Sequence, residues 1–591
     1  MQNGRIIRNT FYVQLASYVG VALTSSLGSL IDGIIIGQYL GVNSIAAFGI
    51  VNPLMVILAL IGAVLAYGAR SRFVRLIGSG KTKEAQNVFS LACALAAGIA
   101  TAVAIIVIVF SVPITRMLGA TGNAAALLPK ARAYMIGVAI GIPARNVMWV
   151  LWAFVPIDNN RGLPVIASAV MTVTNILLDL AVVFVFHGDT FEMGLVTSIS
   201  YIAALLVFMT HFFRHNTFLK LSFKNISVKD TGELLAEGVP SGMHRLGHTI
   251  KGIFMNRLLA AIASSAAIAA YSVHGQAEAL LIPLAAGIAD TVSALAGVLT
   301  GEEDRPMMKH LLITSVRATF IFTLGVSVIS WVFAPQFAAL FISGDSETLK
   351  MSIRAVRAYS IGMPLHGLNL IYQEYMHGIG RTRLSAVSGF LTECGFMILS
   401  AGIMIGLLGA DAVWYAFPVT QVLLVIYFIA VTFLENRRLN IRPEGFWQKL
   451  LLLPDSFDVT EKDCMDRSIT TMTEVAKLSQ EVWGFCEAYG CDDRRKYLMS
   501  LAVEEMAGNV IEHGFSKDKR NHSIDVRIIH KGEDYIIRIR DDCLIFDPVG
   551  QLKLYSDDDP AHHIGLRMII RTAKNVRYTS FLRLNNLFIK I

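Results

Sequence analysis

The strongest constraint on this chain is a recurring apolar run of about 20 residues, long enough to cross a ~30 Å hydrocarbon core as a helix. About twelve such runs lie near 11–33, 47–69, 88–112, 133–154, 163–186, 193–213, 238–262, 268–299, 311–335, 356–376, 384–407 and 412–434. Inside a bilayer only helices and closed barrels satisfy every backbone N–H and C=O. Runs of this length therefore predict an all-α polytopic membrane protein. A hydrophobic share of 54% and a mean hydropathy of +0.56 exclude an ordinary soluble multidomain chain.

The pattern stops near Glu435. Of 95 charged residues (51 basic plus 44 acidic), 46 fall in the last 151 positions and 49 in the first 440. Residues 1–435 read as the membrane part, 436–465 as a linker marked by Pro443 and Pro454, and 466–591 as a soluble domain. Basic residues resist translocation and so mark the cytoplasmic side. Arg5 and Arg8, the cluster Arg70 to Lys83, Arg214 to Lys229, Arg381 with Arg383, and Arg437 with Arg438 all fall on one side of an even-span scheme. The expectation is a multi-pass protein of the cell membrane with both termini cytoplasmic. The net charge of +7 is then mostly topology and does not point to nucleic acid. The first run has no small-residue cleavage site followed by a polar domain, so it reads as a span and not a signal peptide. Six cysteines form no CxxC pair and read as packing residues.

The membrane part repeats. Arg132-Ala133-Tyr134 followed by Gly137 recurs as Arg357-Ala358-Tyr359 followed by Gly362, and Pro53 is matched by Pro283. Two six-helix lobes, about 1–213 and 238–435, related by an axis along the membrane normal, are expected.

Carboxylates at membrane depth are costly and normally face a cavity or a partner. Asp32 follows Leu30-Ile31, and Asp179 stands four residues after Asn175, on the same helix face. Together they make an oxygen-rich pocket suited to a hard cation or a proton, or else they lie at span ends in interfacial water. The segments Asp32 to Gly37, Ala46-Ala47-Phe48, Asn52-Pro53, Gly78 to Ala85, Asn175 to Asp179 and Gly378 to Arg383 resemble the multidrug and toxic compound extrusion (MATE) family. The resemblance spans about residues 5–435. It implies an antiporter exporting drug-like, often cationic small molecules in exchange for H⁺ or Na⁺. It also implies that Asp32, Asn175, Asp179 and Thr197 form the cation-coupling cluster. One departure concerns His244, His248 and Lys251, a basic stripe on one helix face in the seventh span. Facing a cavity, it favours an anionic or lipid-linked cargo, as in the related flippases; facing headgroups, it is bland. Glu278, Glu374 and Glu393 are available to pair with it, and His248, Lys251 and Glu278 are the candidate cargo-cavity residues.

In the tail, Met472–Tyr489 and Asp492–His513 read as amphipathic helices, Ser523–Ile529 and Tyr535–Arg540 as strands, and Ile564–Ala573 as a helix before further strands. This is an α+β sandwich. Glu504-Glu505-Met506-Ala507-Gly508-Asn509, Arg540-Asp541-Asp542-Cys543 and His563-Ile564-Gly565-Leu566 occur in the order of the GHKL nucleotide-binding fold, and resemble most closely the anti-sigma-factor serine kinases. The resemblance implies Mg·ATP binding, with Glu505 as catalytic base, Asn509 as the Mg²⁺ ligand, Asp541 on the adenine amino group and Gly565 beside phosphate. Cys543 replaces a usual Gly, and His563 replaces the first Gly of the phosphate loop. The combined reading is a cation-coupled exporter with a nucleotide-binding regulatory domain and a protein partner for that domain. A membrane-anchored serine kinase and an exporter of anionic or lipid-linked metabolites are the rivals. No Walker-type phosphate loop occurs, which argues against ATP-driven pumping.

Overall fold

The computed structural model describes residues 6–18, 20–21, 42–118, 126–214, 217–222, 230–262, 265–342, 346–441, 445–454, 456–459, 461–515, 522–544, 547–548, 564–582 and 584–591. The chain forms two compact units. One is helical and contains residues 14–300 and 314–434; the other contains 1–13, 301–313 and 435–591.

In the helical unit the apolar runs become α1 (Val42–Gly78), α2 (Thr82–Val109), α3 (Leu128–Ala139), α4 (Ile142–Phe154), α5 (Gly162–Ala181) and α6 (Thr190–Met209). They continue as α7 (Asp230–Ile262), α8 (Ser265–Gly301), α9 (Arg305–Val332), α10 (Ser346–Gly378), α11 (Thr382–Phe390), α12 (Phe396–Leu408) and α13 (Ala416–Arg438). Among the described residues eight spans are long and apolar enough to cross a membrane, or nine when α3 and α4, bent by 48°, count as one. The seventh and tenth expected spans lie in α7 and α10, which carry the most charged and polar residues of the set. Most of the first lies outside the described residues.

The internal repeat has a packing reason. Without lipid-excluded water to drive association, membrane helices pack through small residues that let backbones approach. A Cβ on Gly137 would stand 2.5 Å from the Phe191 carbonyl oxygen of α6, and one on Gly362 would stand 2.6 Å from the Phe417 ring of α13. Each glycine thus seats the fourth helix of its lobe against the sixth. Tyr134 and Tyr359, in the repeated tripeptides, are both buried.

The tail is a five-stranded antiparallel sheet of β1 (Cys464–Ile469), β2 (Ile524–Lys531), β3 (Asp534–Asp541), β4 (Asn575–Phe581) and β5 (Leu584–Lys590), in the order β1-β2-β3-β5-β4. Three helices, α14 (Met472–Ala488), α15 (Asp493–Asn509) and α16 (Ile564–Thr572), supply Val475, Leu478, Val482, Val503 and Leu566 to a core shared with Val526, Ile528, Ile537 and Ile539. A capping box starts α14, where Thr471 Oγ1 accepts from the Glu474 amide and Glu474 accepts from the Thr471 amide. Because strand side chains alternate between faces, Arg527, Arg538 and Arg540 point away from this core. The linker is partly folded, with a short helix at Phe446–Leu451, and β1 begins inside it.

Candidate functional site

In the first lobe the 20-residue apolar helix α5 places Asn175 and Asp179 one turn apart, and the Asn175 amide donates to Asp179 Oδ2 at 3.2 Å. Asp179 is 2% exposed, so it is enclosed by protein and does not face interfacial water. Thr197, on α6, donates to the Met193 carbonyl at 3.2 Å. Asp32 lies outside the described residues.

The basic stripe of α7 is compensated. Lys251 Nζ sits between Glu278 of α8 at 2.5 Å and Glu393 at 2.9 Å, with all three side chains under 10% exposed. Glu393 belongs to a π turn, Leu391–Gly395, that joins α11 to α12. Such bulges re-aim a side chain inside a helix and recur at functional positions. His248 Nδ1 lies 3.2 Å from Glu393 and 3.8 Å from Glu278, and His244 Nε2 lies 3.8 Å from Glu393. His248, Glu278 and Glu393 could offer three ligand atoms to a metal. The Lys251 ammonium already occupies the space between the two carboxylates, so this geometry suits exchange of a proton better than capture of a metal.

A cavity of about 410 Å³ opens elsewhere in the helical unit, lined by residues of both lobes. That volume suits a drug-sized ligand. Its walls are aromatic, with Tyr18, Tyr67, Trp149, Trp152 and Tyr201. Arg70 is neutralised by Asp290 at 2.8 Å. Arg145, one turn before Trp149 on α4, lies over the Tyr201 ring and makes only a 3.5 Å bond to the Met55 carbonyl. Arg245 of α7 lies over the Trp149 ring. Among the described residues neither of these two guanidinium groups has a carboxylate partner. His248, Lys251 and Glu278 do not line this cavity. Arg145 and Asp290 were legible by the rule that intramembrane charges are functional, since each interrupts an apolar run.

In the tail, a pocket is walled by Met506, Val510, Ile539, Tyr578 and Leu587, with Asn509 and Asp541 on its lining. Asp541 Oδ1 accepts from the Cys543 amide at 2.9 Å and from Asn585 at 2.7 Å. Burial pushes its carboxyl up to about 6, and those hydrogen bonds only partly offset this. Cys543 is buried on the same lining. Glu505 precedes Asn509 by one turn of α15, and a Cβ on Gly565 would collide with the Glu505 carboxyl group. Gly565 therefore admits Glu505 to the first turn of α16. An apolar slot with one buried carboxylate fits a planar base bearing an amino group, and the Asn509 carboxamide oxygen on its lining fits a hard cation. His522, Asp542 and Cys543 also bring three potential ligand atoms together, but His522 Nδ1 and Asp542 Oδ1 already bond each other at 2.8 Å. His563 lies outside the described residues.

Comparison with known proteins agrees with this division. Residues 18–181 and 240–401 match the MatE family model, and residues 470–586 match the histidine kinase-like ATPase domain. The chain is 23% identical over 439 residues to the multidrug export protein MepA of Staphylococcus saprophyticus, covering 71% of this chain and 93% of that protein. It is 21% identical over 431 residues to MepA of Staphylococcus aureus, with the same coverage. In structure it resembles the Vibrio cholerae MATE transporter VcmN in the bent form, with a TM-score of 0.65 at 17% identity over 71% of this chain and 94% of that one. It also resembles a Pyrococcus furiosus transporter of the MOP superfamily, described by a reverse polarity of its binding pocket that suggests a different function, with a TM-score of 0.64 at 20% identity over 74% and 96% of the two chains. The chain belongs to the MatE family and carries a histidine kinase-like ATPase domain behind its membrane helices.

Proposed function

We propose that the protein is an antiporter of the cell membrane, driven by H⁺ or Na⁺, that exports drug-sized organic compounds under the control of a cytoplasmic nucleotide-binding domain. The transporter would occupy residues 1–435, with a linker to 465 and the regulatory domain at 466–591, both termini cytoplasmic. The observation that carries this reading is the coexistence of a ligand-sized cavity with a buried Asn175–Asp179 pair in an apolar helix. Asp32, Asn175, Asp179 and Thr197 are assigned to the coupling ion, and the family relatives named for multidrug export support the direction of transport. The Lys251–Glu278–Glu393 group, with His248 on its rim, is a second place where a proton can be gained and lost.

The family's usual cargo is cationic, but the cavity walls favour an organic anion. Arg145 leaves the described lining with a positive charge that no carboxylate cancels, and Arg245 adds another over the ring of the lining residue Trp149, beside rings that stack on a planar ligand. In proteoliposomes with imposed Na⁺ or pH gradients, aromatic carboxylate fluorescein and cationic ethidium separate the two. Gradient-driven movement of fluorescein that Arg145→Gln reduces favours the anion; movement of ethidium alone favours the cation. Movement of neither under either gradient overturns the antiporter reading.

In the tail, Asp541 is assigned to an adenine amino group, Asn509 to Mg²⁺, and Glu505, held at Gly565, to the base position of a serine kinase. Bound Mg·ATP would supply the transferable phosphoryl group, and a partner protein would supply the hydroxyl. Calorimetry with Mg·ATP tests the pocket, and Glu505→Ala should keep binding while removing any phosphotransfer.

A further inference from the structure

The turn between α8 and α9 reads Glu302-Glu303-Asp304, and two of its carboxylates are buried against the outer face of the tail's sheet, within the same compact unit. Arg540 Nη2 donates to the Glu302 carboxylate and, at 3.3 Å, to Asp304 Oδ2. Arg527 Nη1 donates to Asp304 Oδ1 at 2.9 Å, and Arg538 Nη2 to the Glu302 carbonyl at 2.7 Å. Asn586 Nδ2 donates to Glu302 Oε1. Arg527 also grips both oxygens of Asp458 at 2.7 Å and lies 3.6 Å from Asp466, so the three arginines are ringed by carboxylates. Glu302 is 7% exposed, Asp304 3% and Arg540 2%. Ion pairs this far from water persist only when partners and hydrogen bonds are nearly complete. This is a built seat, and the exposed rim pair Glu303–Lys531 beside it is not.

Asp304 has a second duty. Its Oδ1 accepts from the Met307 amide at 3.1 Å, so the same carboxylate that binds Arg527 caps the first turn of α9. The opposite face of the sheet carries the nucleotide pocket. Arg540 and Asn586 are cross-strand partners on β3 and β5, and both reach Glu302; the adjacent pair, Asp541 and Asn585, bond each other on the pocket lining. One step along two paired strands therefore passes from the seat of the turn to the floor of the pocket. Any twist of β3 against β5 acts on both.

We propose that the Glu302–Asp304 turn and the tail's arginine face form a latch that links nucleotide occupancy of the Asp541 pocket to the ends of α8 and α9. The proposal rests on the reading that this pocket takes a nucleotide. Linkage is reciprocal: if nucleotide tightens the seat, the seated turn tightens nucleotide by the same factor. Because α8 and α9 continue directly from the turn, a shift of either end unseats it, and the tail registers that shift as a change in affinity.

The test uses the full chain in detergent or nanodiscs, with Mg·ATP as the probe. Glu302→Gln combined with Asp304→Asn keeps the shapes and the helix cap while discharging the latch. Its Mg·ATP affinity should change by about fivefold or more, with weakening expected because β3 and β5 lose their outer support. Glu303→Gln, an equal charge change on the exposed rim, should stay within about twofold. An unchanged double variant, or an equal shift from Glu303→Gln, overturns the latch. If the double variant fails to fold, Asn586→Ala removes one uncharged donor to the Glu302 carboxylate and must still shift the affinity. Absence of Mg·ATP binding by the unaltered chain overturns the nucleotide reading instead, and the latch with it.

Discussion

Lys251 holds apart two carboxylates that cannot both stay charged without it. Glu278 and Glu393 converge on its ammonium from α8 and from the π turn, and removing one member of a buried ionic group leaves the rest uncompensated. Lys251→Met should cost about 3–5 kcal/mol, read as a lower midpoint in thermal unfolding of the detergent-solubilised protein, and Glu393→Gln in the same chain should restore part of it. A midpoint unchanged by Lys251→Met would mean that the group is already neutral. Asp541 is a residue of a different kind, since burial raises its carboxyl to about 6 from its ordinary value of 3.8. Its folded form holds a proton more tightly than its unfolded form, so its contribution to stability is full below about 3.8 and is lost as pH rises through about 6. The ionised form is the acceptor for an adenine amino group. Mg·ATP affinity should therefore fall as pH drops below about 6, by up to ~10-fold per unit, and Asp541→Ala should abolish that slope. Titrating affinity from pH 5 to 8 by calorimetry checks both.

At the scale of elements, the sequence was most legible where one signal dominates. Apolar length located α2, α5, α6, α9 and α13 to within about six residues, and period-2 alternation located β2 and β3. The edge strand β1 was invisible because its six residues, Cys464–Ile469, bury a single side chain, Ile469, and so show no alternation. The motifs point to Asp541 and Asn509, which line one pocket, whereas Arg70–Asp290 and Glu302–Arg540 join positions 220 and 238 apart, a pairing that no local pattern encodes. The glycines of the repeat carry their own prediction. Gly137→Val and Gly362→Val each force a side chain into a neighbouring helix and should destabilise by about 1–3 kcal/mol or more. Gly98, with nothing within 4 Å of its missing Cβ, should accept Ala with little change. Thermal midpoints of the three variants side by side measure how strictly the two lobes repeat.

Across the whole molecule, charge is divided between two tasks. In the helical unit it sits partly in compensated groups, at Lys251 and Arg70, while Asp179 is bonded by the neutral Asn175, and Arg145 and Arg245 have no carboxylate partner among the described residues. In the tail it is concentrated on one sheet face that grips the turn between two membrane helices. Acid weakens that grip. Burial alone would raise the Asp304 carboxyl, but Arg540, Arg527 and Arg538 outweigh it and hold the group below the usual carboxylate range. Its stabilisation is present above the unfolded carboxylate value and is lost as pH falls through the lower folded one, so Asp304 keeps its charge throughout the range in which Asp541 gains or loses its proton. Nucleotide, not acidity, is then the natural effector at neutral pH. In proteoliposomes driven by a fixed ion gradient, Mg·ATP on the tail's side should change export by about fivefold or more. Asp541→Ala should remove that response while leaving the nucleotide-free rate unchanged. Export by the unaltered protein that is indifferent to Mg·ATP would show that the tail reports on the transporter without controlling it.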